Sequence, residues 1–256
     1  MSGPRVLDES SCPSGELRTA PNCVDIWTVP IRSAGSIIEE LRESLSSDER
    51  ERALRFYAEE HRNSFVVARG ILRAILASYI SARPEDLVFG YGSKGKPYLK
   101  EHPDVHFNLG HSGELAVYAV AGDELGVDVE RMKPMEDWQK ISKRFFSLRE
   151  SDELAKLDPA QQIAGFFACW TRKEAYIKAT GEGLAAGLDK FSVGVNPSQA
   201  DGTIDEDGQP RRWYYKDLKL GDQYAGAVVT RVARCGVRNL DFGRTEDCLR
   251  FVGSRI

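Results

Sequence analysis

The chain has 256 residues, 41% hydrophobic and 29% charged, with 35 Lys+Arg against 39 Asp+Glu for a formal charge of −4. That length holds one large domain or two modest ones, and the composition excludes collagen, coiled coil and wholesale disorder. There is no basic excess of the kind that nucleic-acid binding exploits, and no apolar run is read as reaching the ~20 residues of a bilayer span, so the expectation is a soluble intracellular protein with neither nucleic acid nor membrane as partner.

Residues 1–22 are rich in proline, glycine and Ser/Thr and carry Asp8, Glu9 and Glu16 without an apolar segment, so they read as a disordered leader and not a signal peptide. The cysteines (Cys12, Cys23, Cys169, Cys235, Cys248) are odd in number and lack a C-x-x-C pair, which argues against a disulfide framework or zinc ribbon and suits a reducing cytosol. Val24–Pro30 is the first predicted strand, and Ser36 offers an N-cap for a helix to about Ser44. A second helix begins near Ser47 and runs through Phe56. In Phe65–Ile80, Phe65, Ala68, Leu72, Ile75, Leu76 and Tyr79 recur at helical steps, while Arg62, Arg69 and Arg73 read as a solvated face. Leu87–Tyr91 is a short strand before the turn Gly92–Pro97.

His106–Leu109 and Leu115–Ala121 read as strands around a turn at Gly110–Gly113, followed by a strand at Leu125–Glu130. A basic helix starts near Glu136, and a long helix from about Ala160 to Thr180 ends at glycines 181, 183 and 187. Phe191–Val195, Arg212–Lys216 and Tyr224–Val232 are late strands, with a loop-rich stretch at 196–210. The halves share a loose grammar: a long helix, a strand, a polar turn and a strand of small residues. The divisions expected are a leader at 1–22, an N-terminal half at 23–123, a C-terminal half at 124–240 and a loosely ordered tail at 241–256.

In Val127-Asp-Val-Glu130 the side chains alternate, so the valines share one face and Asp128 and Glu130 the other. Alone, this is equally an edge strand with polar residues outward. In the long helix Trp170, Glu174 and Lys178 stack on one face, and alone this is equally an i,i+4 ion pair. Together, three carboxylates (Asp128, Glu130, Glu174) with Lys173 and Lys178 beside the third suit Mg²⁺ and anionic oxygens, and Arg52, Arg69, Lys94 and Lys96 could meet the same ligand. The residues therefore suggest magnesium-assisted phosphoryl transfer. His111, in Asn108-Leu-Gly-His-Ser-Gly113, could donate to a phosphate or satisfy a turn carbonyl. No P-loop, G-x-G-x-x-G or G-x-S-x-G occurs.

The ordered series Phe65-Val-Val-Ala-Arg69, Gly95-Lys-Pro97, Phe107-Asn-Leu-Gly-His-Ser-Gly113, Gly126-Val-Asp-Val-Glu130, Arg144-Phe-Phe146, Trp170-Thr-Arg-Lys-Glu-Ala-Tyr-Ile-Lys178 and Gly181-Glu-Gly-Leu184 resembles the 4′-phosphopantetheinyl transferases of the Sfp type. The resemblance implies an α+β fold, a pseudodimer of two similar α/β halves, each a small, mostly antiparallel sheet packed on helices. It implies a monomeric cytoplasmic enzyme that moves the phosphopantetheine arm of coenzyme A to a serine of an apo acyl or peptidyl carrier protein, releasing adenosine 3′,5′-bisphosphate. Asp128, Glu130 and Glu174 match the magnesium ligands, and Glu174 also matches a general base, with Lys178 beside it in the catalytic pair. Lys173 and Lys178 match pyrophosphate contacts, and Lys96 and His111 contacts to the nucleotide end. Arg52 matches a basic coenzyme A contact; Lys94 and Asn108 complete the expected binding set with Gly110, where the family often has serine. Ala175 and Glu49 depart from the family's pattern. Carrier proteins of this class are typically acidic, so Lys140, Lys143 and Arg144 could steer one and Phe145 or Phe146 anchor it; equally, this is a core helix with a solvated basic face. The rivals are a magnesium-dependent nucleotide pyrophosphate hydrolase and a non-catalytic carrier-protein binder.

Overall fold

A computed structural model describes residues 5–6, 17–31, 37–183, 187–206 and 213–253. In chain order the N-terminal part comprises β1 (Arg5–Val6), β2 (Cys23–Pro30), α1 (Ile38–Glu43), α2 (Ser47–Leu54), α3 (Glu59–Ile80), β3 (Phe89–Tyr91), β4 (Pro97–Leu99), β5 (His106–Ser112) and β6 (Leu115–Ala121). The chain continues through β7 (Leu125–Arg131), α4 (Trp138–Phe145), α5 (Leu148–Lys156), α6 (Pro159–Thr180), β8 (Phe191–Ser192), β9 (Asp201–Thr203), β10 (Asp205–Glu206), β11 (Tyr214–Asp217), β12 (Tyr224–Thr230), β13 (Gly236–Asp241) and α7 (Thr245–Gly253). The fold is α+β: a five-stranded sheet in the order β1-β13-β2-β6-β5, a four-stranded sheet in the order β7-β12-β11-β9 and two short ribbons, β3-β4 and β8-β10. Every pairing is antiparallel except β13 with β2.

Each sheet packs against a long helix. Helix α3 buries Ile71, Leu72, Ile75 and Leu76 against Trp27, Val29 and Tyr118, and α6 buries Phe166, Phe167, Tyr176 and Ile177 against Phe191, Val193 and Val229. A third cluster, with Ile26, Val117, Ala119, Leu125, Val127, Val129 and Val228, joins the two sheets. By length and composition Glu59–Ile80 is apolar enough to cross a membrane, contrary to the reading of the sequence, but most of the segment is buried within the fold. It is the central helix of the N-terminal core.

Several expectations need correction. Arg69 and Arg73 are buried and share the carboxylate of Glu49; Arg73 Nε lies 2.6 Å from Glu49 Oε2, and the Arg69 guanidinium stacks 4.2 Å over the Phe89 ring. A solvated face for these two is therefore wrong: a carboxylate from α2 satisfies them inside the protein. Glu49 also closes the α2 capping box by accepting from Ser46 N at 3.0 Å. The expected cap Ser36 lies outside the described residues. The predicted turn at 110–113 is strand as far as Ser112, the predicted strand at 191–195 shortens to β8, and α5 has no counterpart among the predicted elements.

The ends differ most. Within the expected leader, Arg5–Val6 pairs with β13 and Leu17 is buried in the core, while residues 1–4 and 7–16 lie outside the described set. Residues 236–253, expected as the end of the C-terminal half and a loose tail, form β13 and α7 and return to the N-terminal sheet. Phe242 stacks on Trp27 at 5.7 Å and Phe251 packs on the same ring, so an aromatic cluster fixes this segment. Cys23 is disulfide-bonded, against the expectation of a chain of thiols, while Cys169, Cys235 and Cys248 are free.

Candidate active site

The site lies where the edge strands of the two sheets, β5 and β7, run side by side beneath α6. Alternation along β7 turns Val127 and Val129 into the core that joins the sheets and leaves Asp128 and Glu130 on the opposite face. Helix α6 can approach β7 closely because residue 126 is glycine: a Cβ there would stand 2.1 Å from the Ala175 carbonyl oxygen. Gly110 on β5 has a similar role, since a Cβ would come within 3.2 Å of Asp128 Cα. These approaches place the Glu174–Lys178 face of α6 against the acidic face of β7.

Lys178 Nζ lies 2.7 Å from Asp128 Oδ1 and donates to the carbonyl oxygens of Val127 and Leu109 at 3.2 and 3.5 Å. The other oxygen of Asp128, Oδ2, is buried and finds no hydrogen-bond partner among the described residues. Burial raises the Asp128 carboxyl above its ordinary range, opposed by Lys178 and aided by Glu130. Glu174 is raised as well, first by burial and then by Asp128. Glu130 Oε2 accepts from Ser112 Oγ at 2.7 Å. His111 is lowered by burial and by the Lys178 ammonium. The three carboxylates, Lys178 and His111 therefore share one electrostatic neighbourhood. Among the described residues no three acidic or His/Cys side chains are already drawn into a ligand cage; the ammonium of Lys178 occupies one oxygen of Asp128. Two properties fit a hard divalent cation: the orphaned buried oxygen of Asp128 and an all-oxygen donor set.

Beside this centre a cavity of about 630 Å³ opens between α2, α3, the β3–β4 ribbon and the end of β5, lined by Arg52, His61, Arg69, Tyr91 and His111 among others. Arg52 is exposed and lies 5.4 Å over the Phe65 ring. Sequence reasoning did not single out Tyr91 or Ser112. The parity of β5 was the available signal for Ser112, because residues 108, 110 and 112 share one face once the strand runs to Ser112.

Other expected contacts are engaged elsewhere. Lys173 is fully buried: its ammonium donates to the carbonyls of Leu188 and Phe191, both at 2.6 Å, and lies 2.8 Å from Glu150 Oε2. All three N–H groups are used, so the expected pyrophosphate contact is corrected to a structural clamp between α5, α6 and β8. Asn108 is buried and its Oδ1 accepts from Val127 N at 3.0 Å, which makes it a link between β5 and β7. Lys96 donates to the carbonyls of Leu125 and Ala179 at 3.1 and 2.7 Å, and burial pushes its pKa down to about 8. Lys94 is exposed on the turn facing Gly183.

Comparison with known proteins places these features in a family. Residues 124–229 match the model of the 4′-phosphopantetheinyl transferase superfamily, and residues 34–123 match that of the 4′-phosphopantetheinyl transferase N-terminal region. The chain is 41% identical over 180 residues to the 4′-phosphopantetheinyl transferase HetI of Nostoc sp., covering 69% of this chain and 76% of that one. It is 34% identical over 149 residues to the 4′-phosphopantetheinyl transferase Sfp of Bacillus subtilis, covering 58% and 66%. A putative 4′-phosphopantetheinyl transferase of Synechocystis sp. is 34% identical over 191 residues, covering 73% and 76%.

Proposed function

Because the chain belongs to the 4′-phosphopantetheinyl transferase family, we propose that it transfers the phosphopantetheine arm of coenzyme A to a serine of an apo carrier protein and releases adenosine 3′,5′-bisphosphate. The observation that carries this reading is the meeting of the Asp128–Glu130 pair with the Glu174–Lys178 face beside a cavity whose lining includes Arg52 and His111. Asp128, Glu130 and Glu174 would hold Mg²⁺, which when bound supplies positive charge against the pyrophosphate oxygens. Glu174 takes the proton of the incoming serine hydroxyl, a role favoured by a carboxyl whose basicity burial and Asp128 increase. The serine oxygen bonds to the β-phosphorus as the bond to the bisphosphate oxygen breaks, and the leaving group keeps that electron pair. Lys178, held at the mouth of the site by Asp128, offsets charge on the departing phosphate. From the cavity His111 meets the nucleotide end and Arg52 makes a further contact to coenzyme A.

The same reading takes the molecule as a pseudodimer. It is supported by two helices of 22 residues, α3 and α6, each packed on its own sheet. The enzyme acts in the cytoplasm as a monomer on soluble partners, without nucleic acid or membrane. An acidic carrier docks along α4, where Lys143 and Arg144 are exposed; Lys140 is paired with Asp137 at 2.6 Å, and the apolar contact falls to exposed Leu148, since Phe146 is buried and Phe145 packs on Trp170.

Purified protein, coenzyme A, Mg²⁺ and an apo carrier should give a carrier whose intact mass has gained the arm. Glu174→Gln and Asp128→Asn should abolish the gain while the melting curve is kept. Full transfer by both variants would falsify the assignment, and coenzyme A breakdown without a carrier would mark a hydrolase instead.

A further inference from the structure

The strand that carries the acidic pair is held from the other half of the molecule. Among the described residues the outer edge of β7 is not paired with another strand. Its amides are met by side chains of β5 instead: Val127 N donates to Asn108 Oδ1 at 3.0 Å, and Arg131 N donates to Ser112 Oγ at 3.0 Å. Between them Gly110 lies against Asp128 Cα, where a Cβ would come within 3.2 Å. Three alternate residues of β5 thus set the height and register of β7.

Of these three, Ser112 does something more. Its oxygen accepts from the Arg131 amide, so its single hydrogen is available to Glu130 Oε2, 2.7 Å away. A carboxylate at the end of a flexible stem is thereby fixed through one oxygen, with the other left for a ligand. The structure assigns Ser112 as a positioning residue for Glu130, supplied by the N-terminal half to orient a carboxylate of the C-terminal half toward a divalent cation. The assignment rests on the transferase reading above for the use of that cation. Groups that orient a metal ligand typically change metal affinity or activity by about 10–100-fold when removed. Ser112 is half-buried, and its loss leaves the cores of both halves intact.

The test compares Ser112→Ala, Ser112→Val and Ser112→Thr with the full-length parent. Mn²⁺ binding in the presence of coenzyme A is read from loss of the free-ion paramagnetic resonance signal, and the Mg²⁺ dependence of transfer is measured separately. Ser112→Ala and Ser112→Val should bind Mn²⁺ about 10-fold more weakly and need correspondingly more Mg²⁺ for half-maximal rate. Saturating Mg²⁺ should restore most of kcat, and Ser112→Thr, which keeps the hydroxyl, should stay near the parent. Valine and threonine have the same shape, so a purely structural role would make them alike. Parent-like Mn²⁺ affinity in both Ala and Val variants, or equal weakness in Thr and Val, overturns the assignment. A parent that binds Mn²⁺ but transfers nothing overturns the transferase reading alone, because the Mn²⁺ titration still reports on Ser112.

Discussion

Lys173 and Lys178 stand five positions apart on one helix, and their surroundings give them opposite work. The first spends its three donors on Glu150 and two carbonyls inside the C-terminal core. The second keeps nearly a third of its side chain exposed and reaches Asp128 across the site. Lys173→Met leaves the Glu150 carboxylate buried without its cation, so stability should fall by about 3–5 kcal/mol, measured by chemical denaturation. At temperatures where the variant stays folded, its KM for coenzyme A should match the parent; a large rise in KM with stability unchanged would return Lys173 to the site. Lys96 gives a different signature. Its ordinary pKa of 10.5 falls to about 8 in the fold. Between those values the unfolded chain holds the proton that the folded chain has released, so stability gains from this residue as pH rises. Denaturation of the parent and of Lys96→Met at several pH values from 7.5 to 10 should show the parent gaining relative to the variant on the alkaline side; parallel curves would refute this.

The geometry of the proposed site depends on how close a helix can come to a strand. Helix α6 rests on β7 at Gly126, where a Cβ would meet the Ala175 oxygen at 2.1 Å and Ala179 N at 2.4 Å. Both neighbours are backbone and cannot rotate away, so Gly126→Ala must lift the helix and carry Glu174 and Lys178 from Asp128. Overpacking of this kind costs about 1–3 kcal/mol. Transfer should drop much more than stability does, and a variant with parent-like kcat would show that the helix need not sit this close. The parts of this arrangement legible in the sequence follow local periods: the two-residue alternation of Val127–Glu130 and the four-residue step from Glu174 to Lys178 are set by backbone geometry wherever strand or helix forms. Long-range choices were not legible. Nothing near Lys173 says that Glu150 will face it, because their meeting depends on where α5 turns back after Ser147. Arg69 and Arg73 read as solvated since their common partner, Glu49, sits on another helix. Gly-rich polarity made 110–113 look like a turn, although Gly110 serves close packing between strands and the chain reverses only after Ser112.

The long return of the chain shapes the whole molecule. Strand β13 lies parallel to β2 with Gly236 opposite Cys23, so it sits inside the N-terminal sheet between β1 and β2. Arg238 grips Asp25, 213 residues away in sequence, with two hydrogen bonds of 2.7 and 2.6 Å, while Tyr79 of α3 donates to the same carboxylate. No period or cap announces such a pairing, because its partner lies at the far end of the chain. The N-terminal core is thus built from both ends, and the cluster around Ile26, Val117, Val127 and Val228 binds it to the C-terminal sheet. A cut at 123/124, where the sequence grammar divides, therefore should not release two folded halves. Residues 1–123 alone would leave Asp25 buried without Arg238 and Trp27 without the rings of Phe242 and Phe251. Removing a partner from a buried ion pair costs about 3–5 kcal/mol, and losing each large aromatic from a core costs about as much again. Together these losses rival the entire ~5–15 kcal/mol of a domain. The isolated segment should show no cooperative thermal transition and poor dispersion in a proton–nitrogen correlation spectrum. Adding residues 124–256 in trans should restore both; a cooperative transition in residues 1–123 by themselves would mean that the returning strand and helix decorate a core already complete without them.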